Sequence, residues 1–541
     1  MKSQEKVGNP LSLFLSKRGV TMKTLLIAIS AKNTHKTLAP WCLKAYCEKY
    51  CPNINVVIQE HTINDPISNI IDAIYATQPA VLGLSCYIWN IEIVAKISNI
   101  VRQLIPQCTI VLGGPEVSFE TNFTNYPHAN FIVQGAGEHP FAELLNELNS
   151  GNIIERKIIS AQGTVFAELP TPHTQCYFNS FAEGRMASIS NQLVYYESSR
   201  GCPFSCSFCI SSTTSGVQYL PLPQVLHDIS LFVAESATCV KFVDRTFNAN
   251  PVRATAILQH IQTINTSCTF HFEAAADLFN DELLDIIEQM PSGRIQFEIG
   301  IQSTNAVTLF AINRKTNLAS ALANIQKLVS FGNTHIHVDL IAGLPLETLE
   351  TFKHGVNRCL VVRPHMLQLG VLKMLKGTKV LQESTAYSYS YNSYPPYQVF
   401  SNNTMSYDDL LEIKRVTEAV EKFYNTGMFT NSVEYAIQLF RGEYEFFNAF
   451  SLFYEGTNPK SSLKTAYTLM LNFLTIYGDE NIAQHYIKLD CLTHDPKGQL
   501  PNAIIPQRNK PAEQEYKKNN KSANIRIEYF AYDGTTRMFE Y

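Results

Sequence analysis

The sequence predicts an α/β protein in three parts. A doubly wound, Rossmann-like sheet is expected over residues 22–150, a partial (β/α)6 barrel over 193–378, and a mainly helical domain over 379–541. Three observations predict this. Short β-branched runs alternate with helical patterns in two separate series, and strand-helix alternation is the signature of parallel sheets. A weakly patterned stretch divides the series and reads as a linker, 151–192. The length, 541 residues, suffices for several domains that each bury a core. Residues 1–21 carry only a short apolar patch, Leu11 to Leu15, and read as a disordered lead-in rather than a signal peptide.

In the first series, strands are expected at Thr24–Ser30, Ile54–Gln59, Ala80–Ser85, Thr109–Leu112 and Asn130–Val133, with a helix at Ile91–Leu104 between the third and fourth. A doubly wound sheet binds ligands at the carboxyl ends of its strands. Those ends carry Ser85 and Tyr87, then Gly113, Gly114 and Glu116, then Gly135 and Gly137. Glycines there either let a flat or phosphate-bearing ligand approach the backbone or simply make tight turns. Within the linker, Gln162-Gly163 reads as a hairpin turn.

The second series places strands at Leu193–Ser198, Val240–Asp244, Thr269–Ala274, Ile295–Ile301, His335–Ile341 and Met366–Leu372, with helices such as Leu283–Gln289 and Leu318–Phe331. Chemistry on such a barrel belongs on the loops after the strands. Beyond it come a Tyr- and Ser-rich stretch, helical patterns from Tyr407 to about Tyr486, a polar stretch at Asn509–Lys521 that reads as solvated linker, and a terminal hairpin turning at Asp533-Gly534.

Composition excludes several classes. Lys+Arg 43 against Asp+Glu 47 gives a net charge of −4, so no broad basic field draws the chain to nucleic acid or anionic lipid. No apolar run approaches the ~18 residues of a membrane helix. Thirteen cysteines, an odd number and sparse, fit a reducing cytoplasm rather than a disulfide scaffold. Cys47 and Cys51 stand one helical turn apart, with Cys42 off their face, and read as buried structural thiols.

The informative exception follows the first barrel strand: Ser199-Arg200-Gly201-Cys202-Pro203-Phe204-Ser205-Cys206-Ser207-Phe208-Cys209. Cys202, Cys206 and Cys209 have C-x3-C-x2-C spacing, which can give thiolates to three irons of a 4Fe-4S cluster and leave the fourth iron open. A structural zinc site would require a fourth nearby Cys or His, and the loop has none.

This loop, with Phe208 before its last cysteine, resembles the signature of radical S-adenosylmethionine (radical SAM) enzymes. The resemblance implies a 4Fe-4S cluster that binds S-adenosylmethionine and cleaves it reductively to methionine and a 5′-deoxyadenosyl radical. It also implies a cofactor pocket at the remaining strand ends. Asp244 and Asn248 follow the second strand, where the family approaches the methionine amino group, and Glu273 lies in the third. Glu298, Gly300 and Gln302 alternate with apolar residues and share one face of the fourth strand. Arg314 could pair with the methionine carboxylate, and the turn at Gly343 resembles the one that contacts adenine.

Residues 23–150 resemble the cobalamin-binding domain that precedes this barrel in one large subgroup. There Ser85, Tyr87, Gly113, Gly114, Glu116, Gly135 and Gly137 are the candidate cobalamin contacts. Many cobalamin proteins carry Asp-x-His-x-x-Gly after the first strand; this chain has Asn33-Thr34-His35-Lys36-Thr37-Leu38, which implies base-off cobalamin without a preplaced histidine. Val243–Asn250, Phe297–Gln302 and His337–Pro345 together resemble an uncharacterised bacterial group with this domain order and a C-terminal domain of unknown function. The leading expectation is a cobalamin-dependent methyl transfer to an unactivated centre, served by an electron donor such as flavodoxin or ferredoxin. The alternatives are another radical rearrangement or oxidation, modification of tRNA or protein, and a non-catalytic redox sensor.

Overall fold

The computed structural model describes residues 22–160, 165–183, 193–214, 216–455, 462–520 and 524–541. The expected lead-in and the Gln162-Gly163 turn lie outside the described residues. The first sheet is built from β1 (Met22–Ser30), β2 (Ile54–Thr62), β3 (Val81–Ser85), β4 (Thr109–Gly113), β5 (Phe131–Gln134) and β6 (Ile158–Ser160), all parallel in the order β2-β1-β3-β4-β5-β6. Helices α1 (Leu38–Tyr50), α2 (Ile67–Thr77), α3 (Ile91–Leu104) and α4 (Glu138–Asn149) connect them. Period-two geometry sorts the near-continuous apolar run of β1 onto two faces. Leu25, Ile27 and Ile29 pack into one core with Ile70, Ile74, Val94 and Ile97, while Met22 and Leu26 join a second with Cys47, Phe141 and Leu145. This is double winding, and the strand order reverses between β1 and β3.

The linker reading missed β6, because three residues at a sheet edge carry no period, and also α5 (Gln175–Asn179). Lys36 explains why this stretch is held. Its buried ammonium donates to Glu60 Oε2 at 3.1 Å and Ser180 Oγ at 2.5 Å, and lies over the rings of Trp41, Tyr177 and Phe181. A buried charge is tolerable only with such partners.

The second sheet contains β7 (Leu193–Tyr196), β10 (Cys239–Phe242), β11 (Thr269–Ala274), β12 (Ile295–Gln302), β13 (Thr334–Ala342) and β14 (Met366–Val371), in the order β14-β13-β12-β11-β10-β7. Between β7 and β10 lies a hairpin absent from the sequence reading, β8 (Ser199–Gly201) with antiparallel β9 (Val217–Tyr219). It closes on two glycines: Gly201 has φ +101°, and a Cβ there would collide with the Gly216 carbonyl. The connecting helices are α6 (Leu222–Ala234), α7 (Pro251–Thr263), α8 (Asp281–Glu288), α9 (Ala306–Ala311), α10 (Leu318–Ser330) and α11 (Leu349–Val361).

After the barrel come α12 (Lys379–Gln382), β15 (Ser390–Tyr391), β16 (Val399–Ser401), α13 (Tyr407–Phe423), α14 (Thr430–Gln438), α15 (Glu443–Phe453), α16 (Leu463–Tyr477) and α17 (Glu480–His494). The stretch expected to be linker is instead largely α18 (Lys510–Asn519), started by the Asn509 side chain accepting from Ala512 N and by Pro511 in the first turn. The closing hairpin, β17 (Ile525–Phe530) and β18 (Thr535–Glu540), is fastened to α17 by Lys488 on buried Glu528 at 2.9 Å, and Arg526 of the same strand holds Glu528 at 2.7 Å. No described helix is long and apolar enough to cross a membrane.

By contacts the chain divides into two compact units. One runs up to Phe297 and adds Lys373–Ala386 and Tyr391–Val399; the other comprises Glu298–Leu372, Tyr387–Ser390 and Phe400–Tyr541.

Candidate active site at the strand ends

The cysteine loop leaves β8 already braced. Asp244, two residues past β10, is buried and spends both oxygens on the chain before the loop. Oδ1 accepts from Ser198 N at 2.7 Å and Ser199 N at 3.1 Å, and Oδ2 accepts from the two serine hydroxyls at 2.6 and 2.7 Å. Burial pushes its pKa up, and the four donors oppose that shift. Arg200 follows, forked onto Glu197 and Glu138 and stacked on Phe166. Farther on, Val380 N donates to Ser207 O at 2.9 Å, so α12 caps the loop. Cys206 is buried, Cys202 and Cys209 are half-buried, and Phe208 is half-buried between them. Cys202 Sγ lies 3.7 Å from Thr246 Oγ1. All thirteen cysteines are free of disulfides.

Among the described residues, no three His, Cys, Asp or Glu side chains converge on a point that could hold one metal ion. A cubic cluster does not require such convergence, because each thiolate of a cube addresses a different iron.

Asn248 is buried and pairs with one backbone unit, donating to Ala275 O at 2.8 Å and accepting from Ala275 N at 3.0 Å, so it ties the loop after β10 to the end of β11. Glu273 is half-buried on β11. On β12, Ile295, Phe297, Ile299 and Ile301 are buried, while Gln296, Glu298, Gly300 and Gln302 take the other face, as the alternation required. Gln302 ends the strand at φ +70°, an uncommon conformation for a side-chain-bearing residue, with its amide folded over Gly300 and its Oε1 buried without a hydrogen-bond partner. Arg314 Nη2 donates to Gly300 O at 2.5 Å, so the guanidinium is seated on the β12 backbone.

Gly343 turns at φ +82°, and its carbonyl accepts from Tyr389 Oη at 2.8 Å and Asn402 Nδ2 at 3.1 Å. Beside this turn, Ser303 Oγ donates to Glu347 Oε1 at 2.5 Å. The other Glu347 oxygen is buried without a partner, and burial raises its pKa to about 8. Sequence reasoning missed Ser198, Ser199, Ser303, Glu347, Tyr389 and Asn402. Glu347 alone had a signal, a carboxylate four residues past a strand-end glycine.

In the first sheet, the loop after β3 is stapled across the reversal of strand order. Trp89 Nε1 and Asn90 Nδ2 donate to Ile29 O at 2.9 and 3.0 Å, and Ser85 Oγ donates to Ile27 O at 3.4 Å. Tyr87 and Trp89 stack, centroids 4.5 Å apart and 5° from parallel, and burial raises the Tyr87 pKa to about 12. Gly135 has φ +76°, and Gly137 precedes α4.

Two residues nominated on this sheet have work within the fold. Gly114, at φ +118°, is needed by the backbone itself, since a Cβ would sit 2.6 Å from Cys86 O and 3.0 Å from Cys86 N. Gly113 is the open position, its nearest atom 3.6 Å from a Cβ. Glu116 is buried, accepts from Tyr397 Oη at 2.7 Å and has Lys376 Nζ at 3.9 Å. His35 lies against Tyr195 on β7, ring centroids 5.9 Å apart. Burial, with Lys32 and Lys241 nearby, lowers its pKa.

Residues 24–145 match the B12 binding domain, 196–359 the Radical SAM superfamily, and 385–538 a protein family of unknown function, DUF4080. The chain carries a Radical SAM domain and a B12 binding domain. Among curated proteins, it is 27% identical to the cobalamin-dependent radical SAM methyltransferase TokK of Streptomyces tokunonensis, over 57% of this chain and 49% of the relative. It is also 27% identical to the 2-(S-pantetheinyl)-carbapenam-3-carboxylate methyltransferase of Streptantibioticus cattleyicolor, over 53% and 46%. The chain thus spans about half the length of these relatives. Among solved structures, the cobalamin-dependent S-adenosylmethionine radical enzyme OxsB with aqua-cobalamin bound superposes with TM-score 0.61 at 14% identity, covering 88% of this chain and 80% of that one. The methyltransferase TsrM of Kitasatospora setae, with tryptophan and an S-adenosylmethionine analogue bound, gives 0.54 at 14%, covering 70% and 79%. At those identities the likeness is one of fold.

Proposed function

We propose that this protein is a cobalamin-dependent radical SAM methyltransferase acting at an unactivated centre. The observation that carries the reading is the braced three-thiol loop at the end of the first barrel strand, in one compact unit with a B12-binding sheet whose strand order reverses beside a glycine-lined edge. The donor set fits the groups. Three thiols without a disulfide suit a 4Fe-4S cluster with one open iron. Gln302 Oε1 and Glu347 Oε2, both buried and unpartnered, suit a polar cofactor such as S-adenosylmethionine beside them. Gly113 has room for close approach, and His35 is turned to Tyr195, which suits a base-off corrin.

When bound, the cluster and S-adenosylmethionine supply an organic radical, and cobalamin supplies methyl carriage. Cys202, Cys206 and Cys209 would hold the cluster. Asp244 holds the start of their loop in place, a bracing role in our reading rather than contact with the methionine amino group. Asn248 fixes the neighbouring loop. Glu298, Gln302 and Arg314 would orient S-adenosylmethionine along β12, and Tyr389 with Asn402 would set the Gly343 turn against its adenine. Glu347 would keep its proton near neutral pH and remove a charge from that pocket. A cytoplasmic setting and a flavodoxin or ferredoxin donor complete the proposal.

The test is anaerobic reconstitution of the full chain with iron, sulfide and hydroxocobalamin, reduction with dithionite, and assay of S-adenosylmethionine products. Both S-adenosylhomocysteine and 5′-deoxyadenosine are expected. Formation of 5′-deoxyadenosine alone would overturn methyl transfer, and neither product would overturn the radical reading.

A further inference from the structure

The ion pair between Arg200 and Glu138 joins the two loops on which the proposed cofactors depend. Arg200 lies two residues before Cys202. Glu138 is the first residue of α4 and directly follows the Gly135-Ala136-Gly137 strand end of the B12-binding sheet. The contact is bidentate: Nη2 to Oε1 at 2.8 Å and Nη1 to Oε2 at 3.3 Å. The same guanidinium holds Glu197 through Nε at 3.0 Å and Nη2 at 2.7 Å, and its carbon lies 4.7 Å from the Phe166 ring centroid. Glu138 is 4% exposed. Planar, two-point Arg-carboxylate contacts fix orientation as well as distance, and burial protects this one from the screening that weakens surface pairs.

The geometry has a consequence for binding. Asp244 fixes Ser198 and Ser199 to the barrel, and Glu138 fixes the next residue to the B12-binding domain. A shift in the 135–138 strand end is therefore transmitted to the residue two before the first cluster thiol, and ordering of the thiol loop restrains that strand end in return. Linkage requires such an effect to be reciprocal.

We propose that Glu138 and Arg200 are positioning residues that couple the two cofactor sites, so that cobalamin binds more tightly when the cluster loop is loaded. The proposal rests on both cofactors being present as read above. The test titrates hydroxocobalamin into four full-length proteins under anaerobic conditions, following its absorbance: wild type with reconstituted cluster, the Cys202→Ala/Cys206→Ala/Cys209→Ala protein without one, and each of these with Glu138→Gln added. Iron content and melting temperature accompany each titration. In wild type, cluster loading is expected to lower the cobalamin Kd by about five-fold or more, the lower end of ordinary coupling between sites. Glu138→Gln should fold and load iron, yet bring that ratio close to one. Glu138→Asp, which keeps the charge, should restore part of it.

Equal Kd values in loaded wild type and in the triple-alanine protein overturn the coupling while leaving cobalamin binding intact. A full ratio in Glu138→Gln overturns the role of this pair. Should Glu138→Gln fail to load iron, the ratio in Arg200→Lys, which retains charge but not the fork, decides in the same way. Wild type that binds no cobalamin in either state overturns the cobalamin reading and the coupling with it.

Discussion

Replacing Asp244 by alanine removes the acceptor of four donors at once. Ser198 and Ser199 are buried, at 0% and 5% exposure, so water does not replace the carboxylate. The two hydroxyls can rotate toward other acceptors; the two amide N–H groups cannot. Each orphaned buried donor costs about 1–3 kcal/mol, so the amides alone set a loss of roughly 2–6 kcal/mol, among the severe single substitutions. The strain falls where the chain enters the cysteine loop. Asp244→Asn is the informative partner. Its carbonyl oxygen can keep both amides, at the Oδ1 contacts of 2.7 and 3.1 Å, while its NH2 donates to the serine hydroxyls in place of Oδ2. What is lost is charge assistance, about 1 kcal/mol for each retained bond, offset by removal of a buried charge.

The assay is iron and sulfide per chain after anaerobic reconstitution, beside the urea midpoint and S-adenosylmethionine binding by equilibrium dialysis. Alanine should lower the midpoint and lose most of the iron, whereas asparagine should keep most of both. An alanine variant with full iron would show that Asp244 does not organise the loop. An asparagine variant with full iron but no S-adenosylmethionine binding would return Asp244 to the methionine amino group.

The remaining predictions are more compact. Cys202→Ala, Cys206→Ala and Cys209→Ala should each lose the oxygen-sensitive brown absorbance, while Cys42→Ala, Cys47→Ala and Cys51→Ala keep wild-type iron; full iron in Cys206→Ala would defeat the assignment. Glu347 has a folded pKa of about 8 against 4.5, so its protonated form stabilises the fold below pH 4.5 and that contribution is lost as pH rises through 8. At about 1.4 kcal/mol per unit this amounts to at most roughly 5 kcal/mol, and Glu347→Gln should flatten the fall in urea stability between pH 5 and 8; an unchanged slope would locate it elsewhere. Gly113→Ala should fold normally and weaken hydroxocobalamin binding, whereas Gly114→Ala should lower the melting temperature outright, because its Cβ meets Cys86 O at 2.6 Å. Equal melting temperatures for the two would refute the distinction.

Both sheets were legible because parallel strands buried on two faces are written as apolar runs, and β1, with seven consecutive buried residues from Thr24 to Ser30, carries that signal without help from its neighbours. Elements too short for a period were not legible: β6 has three residues and β8 three, and both exist through pairing with a partner already in place. Helix α18 was misread for another reason. Its low hydrophobicity suggested linker, but Asn509 and Pro511 spelled a helix start, and capping outweighed composition. The cysteine loop could be singled out from the sequence, since its three thiols lie in one run of residues. The residues that brace it were not, because Glu138 and Asp244 lie 62 and 45 positions from their partners Arg200 and Ser199, and only the fold brings them together.

The polar residues nominated at the strand ends separate by how much hydrogen-bonding capacity the fold has already used. Asp244 has two donors on each oxygen, Asn248 has its amide matched to one peptide, and Glu116 is held by Tyr397 with Lys376 beside it. Such groups stiffen loops and have little left for a ligand. Gln302 and Glu347 are the opposite case: each buries an oxygen without a partner, an expense of about 1–3 kcal/mol that a folded chain rarely carries without return. Gln302 also occupies a left-handed backbone conformation at the end of its strand. Strain and an unused acceptor coincide at Gln302, and that coincidence is what favours it as a ligand contact in the function proposed above. In the proposed reading, spent bonding capacity makes Asp244 a brace, and unspent capacity favours Gln302 and Glu347 as the groups that would meet a ligand.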